Sequence, residues 1–400
     1  MGRVSWRLPG GAALLVVAFA VDAFSTGLGL GAIGPSLPSM HERLHAPLGS
    51  LGLLLGGEYL GSLLATLALG PLLDHRSPRP MIVGGFLLTA LGFAMVPLAN
   101  CLALAVAALA IAGMGVGVAA VGAPVLIARQ GGRQEGRALS IINMAFGAGA
   151  FVGPLCAGWA IDVLHDYRPI FYVFAASLAL PLLALAAAPI LPPREPVKRR
   201  LGSLPSGAWS LALILAAVSF LYLAAEVGFG SWVYTYVRGT THAGVNVASA
   251  ATAAFWLSLS ASSLGTALRP RAWHADRVIL VGGAVAAGSA LLFLAAPTSS
   301  TQVAAAVLVG LALGPIYPLN LGAAANLFPA ASGQVSTVVI CSSQLGGAVG
   351  PWLQGQVITR SYHLGIGLTI GLCLGLAGAQ GTYLAMRRRR RQAEVRPVTS

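Results

Sequence analysis

The chain has 400 residues, 56% of them hydrophobic and only 9% charged, with a formal net charge of +13. Soluble domains carry roughly 25% charged residues, so this composition excludes a water-soluble enzyme and implies an integral membrane protein. Membrane-spanning backbone must satisfy its own polar groups, and the apolar runs are too long for strands, so an all-α fold is expected.

At about 20 apolar residues per crossing, twelve transmembrane helices are predicted. Six lie near residues 11–34, 49–73, 81–99, 102–128, 138–163 and 169–190. Arg3 and Arg7 ahead of an apolar run suggest a signal peptide, but Asp22 interrupts that run and no convincing cleavage site follows. An uncleaved first span is therefore expected. Inside it, Gly29-x-Gly31-x-x-Gly34 formally matches a dinucleotide fingerprint, yet that motif needs a strand before it and a helix after it. In a membrane helix these glycines read as close backbone packing, as do Gly113, Gly115 and Gly117 in the fourth span.

The polar break at 191–208, with Pro192, Pro193, Pro196, Pro205 and the cluster Lys198 to Arg200, is a cytoplasmic linker between an N-terminal six-helix bundle (1–190) and a C-terminal one (209–390). The second six spans fall near residues 209–237, 246–268, 278–296, 302–327, 333–358 and 364–386. Residues 391–400 are expected to be a disordered basic tail. The run Arg387 to Arg391 suits anionic lipid headgroups, and no nucleic-acid partner is expected.

Placing both termini in the cytoplasm puts twenty of the 24 Lys and Arg residues inside and leaves only Arg43, Arg168, Arg238 and Arg360 outside. Lys and Arg are enriched in cytoplasmic loops, so this asymmetry selects that topology in a cytoplasmic (inner) membrane. The four cysteines share no metal or redox spacing, and the seven histidines lie in or near loops without carboxylate partners at metalloenzyme spacing. No metal or cofactor is expected. The absence of a G-x-x-x-x-G-K-[ST] phosphate loop points to a gradient, not ATP, as the energy source unless a separate subunit supplies it.

Gly149-x-x-x-Gly153-Pro154-x-x-x-Gly158 recurs 197 positions later as Gly346-x-x-x-Gly350-Pro351-x-x-x-Gly355. Such a duplication inside a membrane is how many secondary transporters build two halves around a central site. Applied to Glu226, the offset falls on Gly29, so the acid has no counterpart in the first half.

Between the second and third spans, Gly70-Pro-Leu72-Leu-Asp74-His-Arg76-Ser-Pro-Arg79 resembles the loop signature G-x-L-x-D-R-x-G-R-[RK] of the major facilitator superfamily, matching at Gly70, Leu72, Asp74 and Arg79. That resemblance implies two pseudo-symmetric six-helix bundles and a gate at Gly70, Asp74 and Arg79, together with the repeated residues Gly149, Gly153, Pro154, Gly350 and Pro351. Ser140 to Gly149, Phe220 to Trp232 and Gly310 to Pro318 are similar to the fifth, seventh and tenth spans of the fucose-proton symporter group and its glucose-transporting relatives. Ala120 and Gly34-Pro35 stand where acids are usual in that group, so fucose is not expected and coupling must use other carboxylates.

A carboxylate in the bilayer costs about 2.5 to 3.5 kcal/mol on the insertion scale, which singles out Asp22, Glu58 and Glu226 as proton-coupling candidates. On a helix Glu226 shares a face with Phe229, Gly230 and Val233, and Tyr222 lies one turn back. Sugars are bound by polar groups plus apolar ring faces, so the substrate-binding candidates are Asn143, Tyr222, Glu226, Phe229, Trp232, Tyr317, Asn320 and Gln344. For each, a purely structural interhelical role is the alternative.

The expected function is alternating-access transport of a small hydroxylated solute, a monosaccharide, by a monomer, coupled to protons, with sodium as the alternative ion. A proton-coupled drug or metabolite exporter is the first rival, and a non-transporting receptor or lipid-binding protein the second.

Overall fold

Apolar side chains can cover a helix, but only internal hydrogen bonds can satisfy its backbone in lipid. The computed structural model accordingly consists of helices throughout its described residues, which are 10–73, 78–131, 135–187, 209–266, 274–327 and 331–395. The first half contains α1 (Gly10–Leu44), α2 (Leu53–Leu73), α3 (Pro78–Met95), α4 (Leu102–Gly131), α5 (Glu135–Trp159), α6 (Arg168–Ser177) and α7 (Ala179–Ala187). The second contains α8 (Trp209–Thr241), α9 (Val245–Gly265), α10 (Ala275–Ala295), α11 (Ser299–Leu313), α12 (Ile316–Leu327), α13 (Ser332–Ile358) and α14 (Tyr362–Val395).

Fourteen helices make twelve crossings because two crossings are broken by proline. Pro181 cannot donate to the Ser177 carbonyl, and the chain breaks between α6 and α7. Gly314-Pro315 separates α11 from α12 in the same way. Eleven segments are long and apolar enough to cross a membrane by composition alone. The twelfth, α13, carries Gln334, Ser336, Thr337, Ser342, Ser343 and Gln344, and is shielded by packing against α8, α2 and α14.

Several expected boundaries move. The first span continues past Pro35 and Pro38 to Leu44, held along its length by α5 and α8. The expectation of disorder from residue 391 is corrected in part, because α14 continues as helix to Val395. Near its end the helix is tied to α10 by the Arg387–Asp276 ion pair and by Gln380, which donates to the Asp276 carbonyl at 3.2 Å. The linker 191–208 and Asp74 lie outside the described residues.

The duplicated pattern has equivalent partners in both halves. A methyl group at Gly149 or Gly153 on α5 would overlap the carbonyls of Phe24 or Leu28 on α1, and one at Gly346 or Gly350 on α13 would overlap those of Phe220 or Ala224 on α8. Likewise Gly113 and Gly117 on α4 sit on the carbonyls of Glu58 and Ser62 on α2, as Gly310 on α11 and Gly314 just past its end sit on those of Phe255 and Leu259 on α9. These are two copies of one bundle. The equivalence runs at 197 positions for most helices but at 196 for the Phe24/Phe220 and Leu28/Ala224 pairs of α1 and α8; the two offsets place Gly29 or Leu30 opposite Glu226, so the acid has no partner in the first half either way.

Only the third glycine of each pattern reaches the other half. Gly158 lies against Ser249 of α9, and Gly355 lies against the Gly49 backbone, in the short 3₁₀ turn Leu48–Gly52 ahead of α2. Gly149, Gly153, Pro154 and Gly350 therefore pack inside their own halves, away from the surface where the two halves meet. Pro351 does reach the interface, where its carbonyl faces Gly52, and Arg79 bonds the Leu185 carbonyl at 3.3 Å within the first half.

The contacts between halves run from the end opposite the termini, here the far end, to mid-depth. Gly34 faces Ser231, Gly56 faces Ala348, and Asn246 donates to Asp162 at 3.0 Å. Among the described residues no substantial contact joins α4 to α10, α11 or α12. Among the described residues the arrangement is closed at the far end and parted towards the end that carries the termini.

One far-end ion pair sets a limit on surface electrostatics. Arg168 bonds Asp166 through Nε and NH2 at 2.7 to 3.0 Å, and these bonds hold the Asp166 carboxyl below its ordinary value. A lowered carboxyl contributes stability above the unfolded-state value and loses it as pH falls through the folded value. Both side chains are partly exposed to solvent, so Asp166→Asn should change the melting temperature by less than about 2 °C at neutral pH. A larger shift in a thermal melt would show that this pair is structurally important.

Candidate transport site

Glu226 lies near the middle of α8, a helix buried almost all the way along its central turns. One turn earlier, Tyr222 reaches its carboxyl, and the Tyr222 ring stacks on Tyr317 of α12 with centroids 5.8 Å apart and planes 17° apart. The charge of Glu226 acts on three phenols, those of Tyr59, Tyr222 and Tyr317. Tyr59 enters from α2 in the other half, where its ring lies on Gly347 of α13. Beside it, Gln344 donates to Ser62 at 2.8 Å across the same interface, and Ser343 lies within reach of the Tyr317 hydroxyl.

The site therefore groups a carboxyl with the phenols of three tyrosines, two of which stack on each other, and with an amide and hydroxyls at the boundary between the halves. Among the described residues no Lys, Arg or His forms an ion pair with Glu226, Glu58 or Asp22. All three acids are at most 8% exposed. Asp22 Oδ1 and Glu58 Oε2 have no hydrogen-bond partner. An ionised carboxylate so placed carries an uncompensated charge, which a proton or a donor hydroxyl relieves. Such a group can bind a neutral hydroxylated ring and hold a proton.

Four expected binding residues fall elsewhere. Phe229 is fully buried, with its ring 5.1 Å from that of Phe255 and 5.0 Å from that of Phe293, so it belongs to the aromatic core of the second bundle. Trp232 is also fully buried and donates through Nε1 to the Pro351 carbonyl at 2.9 Å, pinning α8 to α13. Asn320 donates to the Leu215 carbonyl at 2.9 Å and to Ser219 at 2.7 Å, which makes it a tie between α12 and α8. Asn143 is exposed on α5, and no described contact joins it to the Glu226 group.

Tyr222, Glu226, Tyr317 and Gln344 are brought to one region, and Glu58 adjoins it through Tyr59. Asp22 lies on α1 between Phe19, which meets Phe86 of α3, and Ser25, which bonds Ser177 of α6 at 2.6 Å. That places it inside the first bundle. Sequence reasoning missed Tyr59, Ser62 and Ser343. Tyr59 directly follows a buried acid, and that adjacency is the signal that could have found it.

Residues 19–351 match the family described as the Major Facilitator Superfamily. The chain is 28% identical over 189 residues to the multidrug resistance protein MdtH of Aeromonas hydrophila, covering 46% of this chain and 48% of that protein. It is 25% identical over 131 residues to the sodium-dependent glucose transporter 1A of Mus musculus, covering 33% and 31% of the two chains. The chain thus spans about half or less of the curated relatives it matches. Two solved structures share the fold: a D-xylose-proton symporter (TM-score 0.76, 17% identity, 92% of this chain and 96% of that one) and the nucleoside transporter NupG as its D323A mutant (0.75, 13%, 92% and 99%).

Proposed function

The chain belongs to the major facilitator superfamily, and from that premise we propose that it carries a neutral, hydroxylated ring solute, a monosaccharide, by proton-coupled alternating access. The observation that carries this reading is the Glu226 group, in which one carboxyl has Tyr222 within hydrogen-bonding reach, the phenols of Tyr59 and Tyr317 in its electrostatic neighbourhood and no described ion-pair partner. Aromatic faces take the apolar side of a sugar ring while the carboxyl, Gln344 and Ser62 offer partners to its hydroxyls. An anionic solute would be repelled by the ionised carboxyl, with no described ion-pairing cation to offset it. Glu226 is the coupling carboxyl, with Glu58 and Asp22 as further proton-holding groups; sodium is the alternative ion.

The twenty-to-four division of Lys and Arg supports an inner-membrane topology with both termini in the cytoplasm. The far end is then extracellular, and the arrangement is inward-facing. Purified protein in liposomes should accumulate labelled monosaccharide when the outside is made acidic. A collapse of uptake on removing the pH gradient, with a sodium gradient having no effect, separates the two ions.

A second reading draws on the same chemistry. Carboxyls and tyrosine faces also suit an organic cation, and the chain is similar over 46% of its length to a multidrug resistance protein. Extrusion of cationic dyes without sugar uptake from the same liposomes favours that reading.

A further inference from the structure

Phe19, Asp22, Thr26 and Gly29 follow one another at helical spacing, so they share one face of α1. Two layers of rings bracket the middle of that face. Towards the termini, the Phe19 ring meets Phe86 of α3 edge to face, with centroids 5.7 Å apart. About 15 Å further along the helix, a methyl added at Gly29 would overlap the ring of Phe93 of α3, which in turn meets Phe174 of α6. Asp22 and Thr26 thus lie between two aromatic layers, all of whose rings come from the first half.

Between those layers the oxygens outnumber the protons that could join them. Asp22 Oδ1 and Thr26 Oγ1 are buried and have no hydrogen-bond partner, and neither residue is more than 5% exposed. A helical Ser or Thr can donate to the carbonyl four residues back, as Ser25, Ser36, Thr89 and Ser231 do. Thr26 does not. Ser25, a neighbour of Asp22 on the helix surface, stands 2.6 Å from Ser177 of α6, while Ser25 also faces the Val21 carbonyl at 2.9 Å and Ser177 the Phe174 carbonyl at 2.7 Å. Two hydroxyl protons cannot serve three such contacts, so acceptor capacity is left over. Among the described residues no Lys, Arg or His forms an ion pair with Asp22.

We propose that Asp22, Thr26, Ser25 and Ser177 form a site for one sodium-sized monovalent cation inside the first bundle. Hard cations take oxygen ligands, and these side chains offer a carboxylate and three hydroxyls from two helices. A single carboxylate balances a single positive charge, whereas a divalent ion would leave a net charge buried among phenylalanines. The close-set serine oxygens favour a small ion over potassium. The cation takes the place of the proton that Asp22 otherwise holds, and it ties α1 to α6. Its occupancy does not involve Glu226, so it goes beyond the transport reading above.

The test uses the purified full chain in lipid nanodiscs, with sodium chloride replaced stepwise by choline chloride at constant ionic strength and pH. The parent should bind radioactive sodium at equilibrium and melt several degrees higher in sodium than in choline or potassium, the shift growing with the logarithm of sodium concentration. Asp22→Asn and Thr26→Val should each weaken sodium binding by about tenfold or more, and Glu226→Gln should keep the parental affinity. If Asp22→Asn yields too little folded protein, Thr26→Val and Ser177→Ala carry the same comparison without removing a charge. Absence of sodium binding in the parent, or parental affinity in Asp22→Asn or Thr26→Val, overturns the inference. Loss of binding in Glu226→Gln also overturns it, because the ion would then sit at the boundary between the halves. Uptake of labelled monosaccharide by liposomes from the same preparation reads the transport proposal separately: no uptake with sodium binding intact sinks that proposal and leaves the cation site standing.

Discussion

Glu226→Gln should abolish gradient-driven accumulation of solute while leaving equilibrium exchange of labelled for unlabelled solute within about threefold of the parent. Glutamine keeps the length of the side chain, accepts from Tyr222 and can still bond a solute hydroxyl, so the binding surface survives. It cannot take up or release a proton. In a coupled carrier, accumulation needs the charge state of one group to change during the cycle, and Glu226 is the acid at the boundary between the halves. Counterflow and pH-jump uptake measured on one batch of liposomes separate the two properties. Accumulation unaltered in Glu226→Gln would remove Glu226 from the coupling role and leave Glu58 and Asp22 as the candidates, since both are buried with an unpartnered oxygen.

The second large effect contrasts one substitution at two glycines. Gly346→Leu inserts a side chain where the Phe220 carbonyl of the same half already stands. Overpacking of even a few methylenes costs about 1 to 3 kcal/mol, and a backbone carbonyl cannot yield as a side chain can, so this variant should lose much of its folded yield. Gly52→Leu meets the Pro351 backbone of the opposite half. The two halves are separate bundles, so the clash can be relieved by parting them. Gly52→Leu should therefore fold, melt within a few degrees of the parent and lose transport because the far end no longer closes. Fluorescence-detected size exclusion and a thermal melt, alongside uptake, distinguish the two. Equal loss of folded protein in both variants would show that the halves behave as one rigid body.

Much of the fold was legible because membranes impose simple rules. Apolar runs gave the crossings, and the glycine pattern gave the duplication, since only small residues let two helix backbones touch. Boundaries were less legible. Proline at 35 and 38 suggests an end, yet tertiary packing carries α1 through to Leu44.

The site was legible in its chemistry and not in its geometry. An intramembrane acid is informative wherever it occurs, but α8 is surrounded by other helices, so it has no polar face to show which side chains turn towards the solute. Phe229 and Trp232 were assigned to the site by spacing, although the neighbouring Phe255, Phe293 and Pro351 come from elements far away in sequence. Asn320 illustrates the same difficulty, because an amide that ties two helices and one that binds a sugar look alike in a sequence. Tyr59 was missed because its significance depends on a helix from the opposite half.

The shift from 197 to 196 positions between α1 and α8 has an evolutionary consequence. His45 and His242 end these two helices in the same left-handed conformation, with φ of 49° and 52°, and stand 197 positions apart. Leu28 and Ala224, about halfway back along the two helices, stand 196 apart. One copy has therefore gained or lost a residue in between, which turns corresponding side chains by about 100° about the helix axis. That stretch contains Glu226. Glu226 thus stands in the one stretch where the two helices do not match residue for residue. A chimera that joins two copies of the first half would restore the matched packing and remove Glu226, so it should assemble as a bundle and lose the uphill transport that depends on that acid.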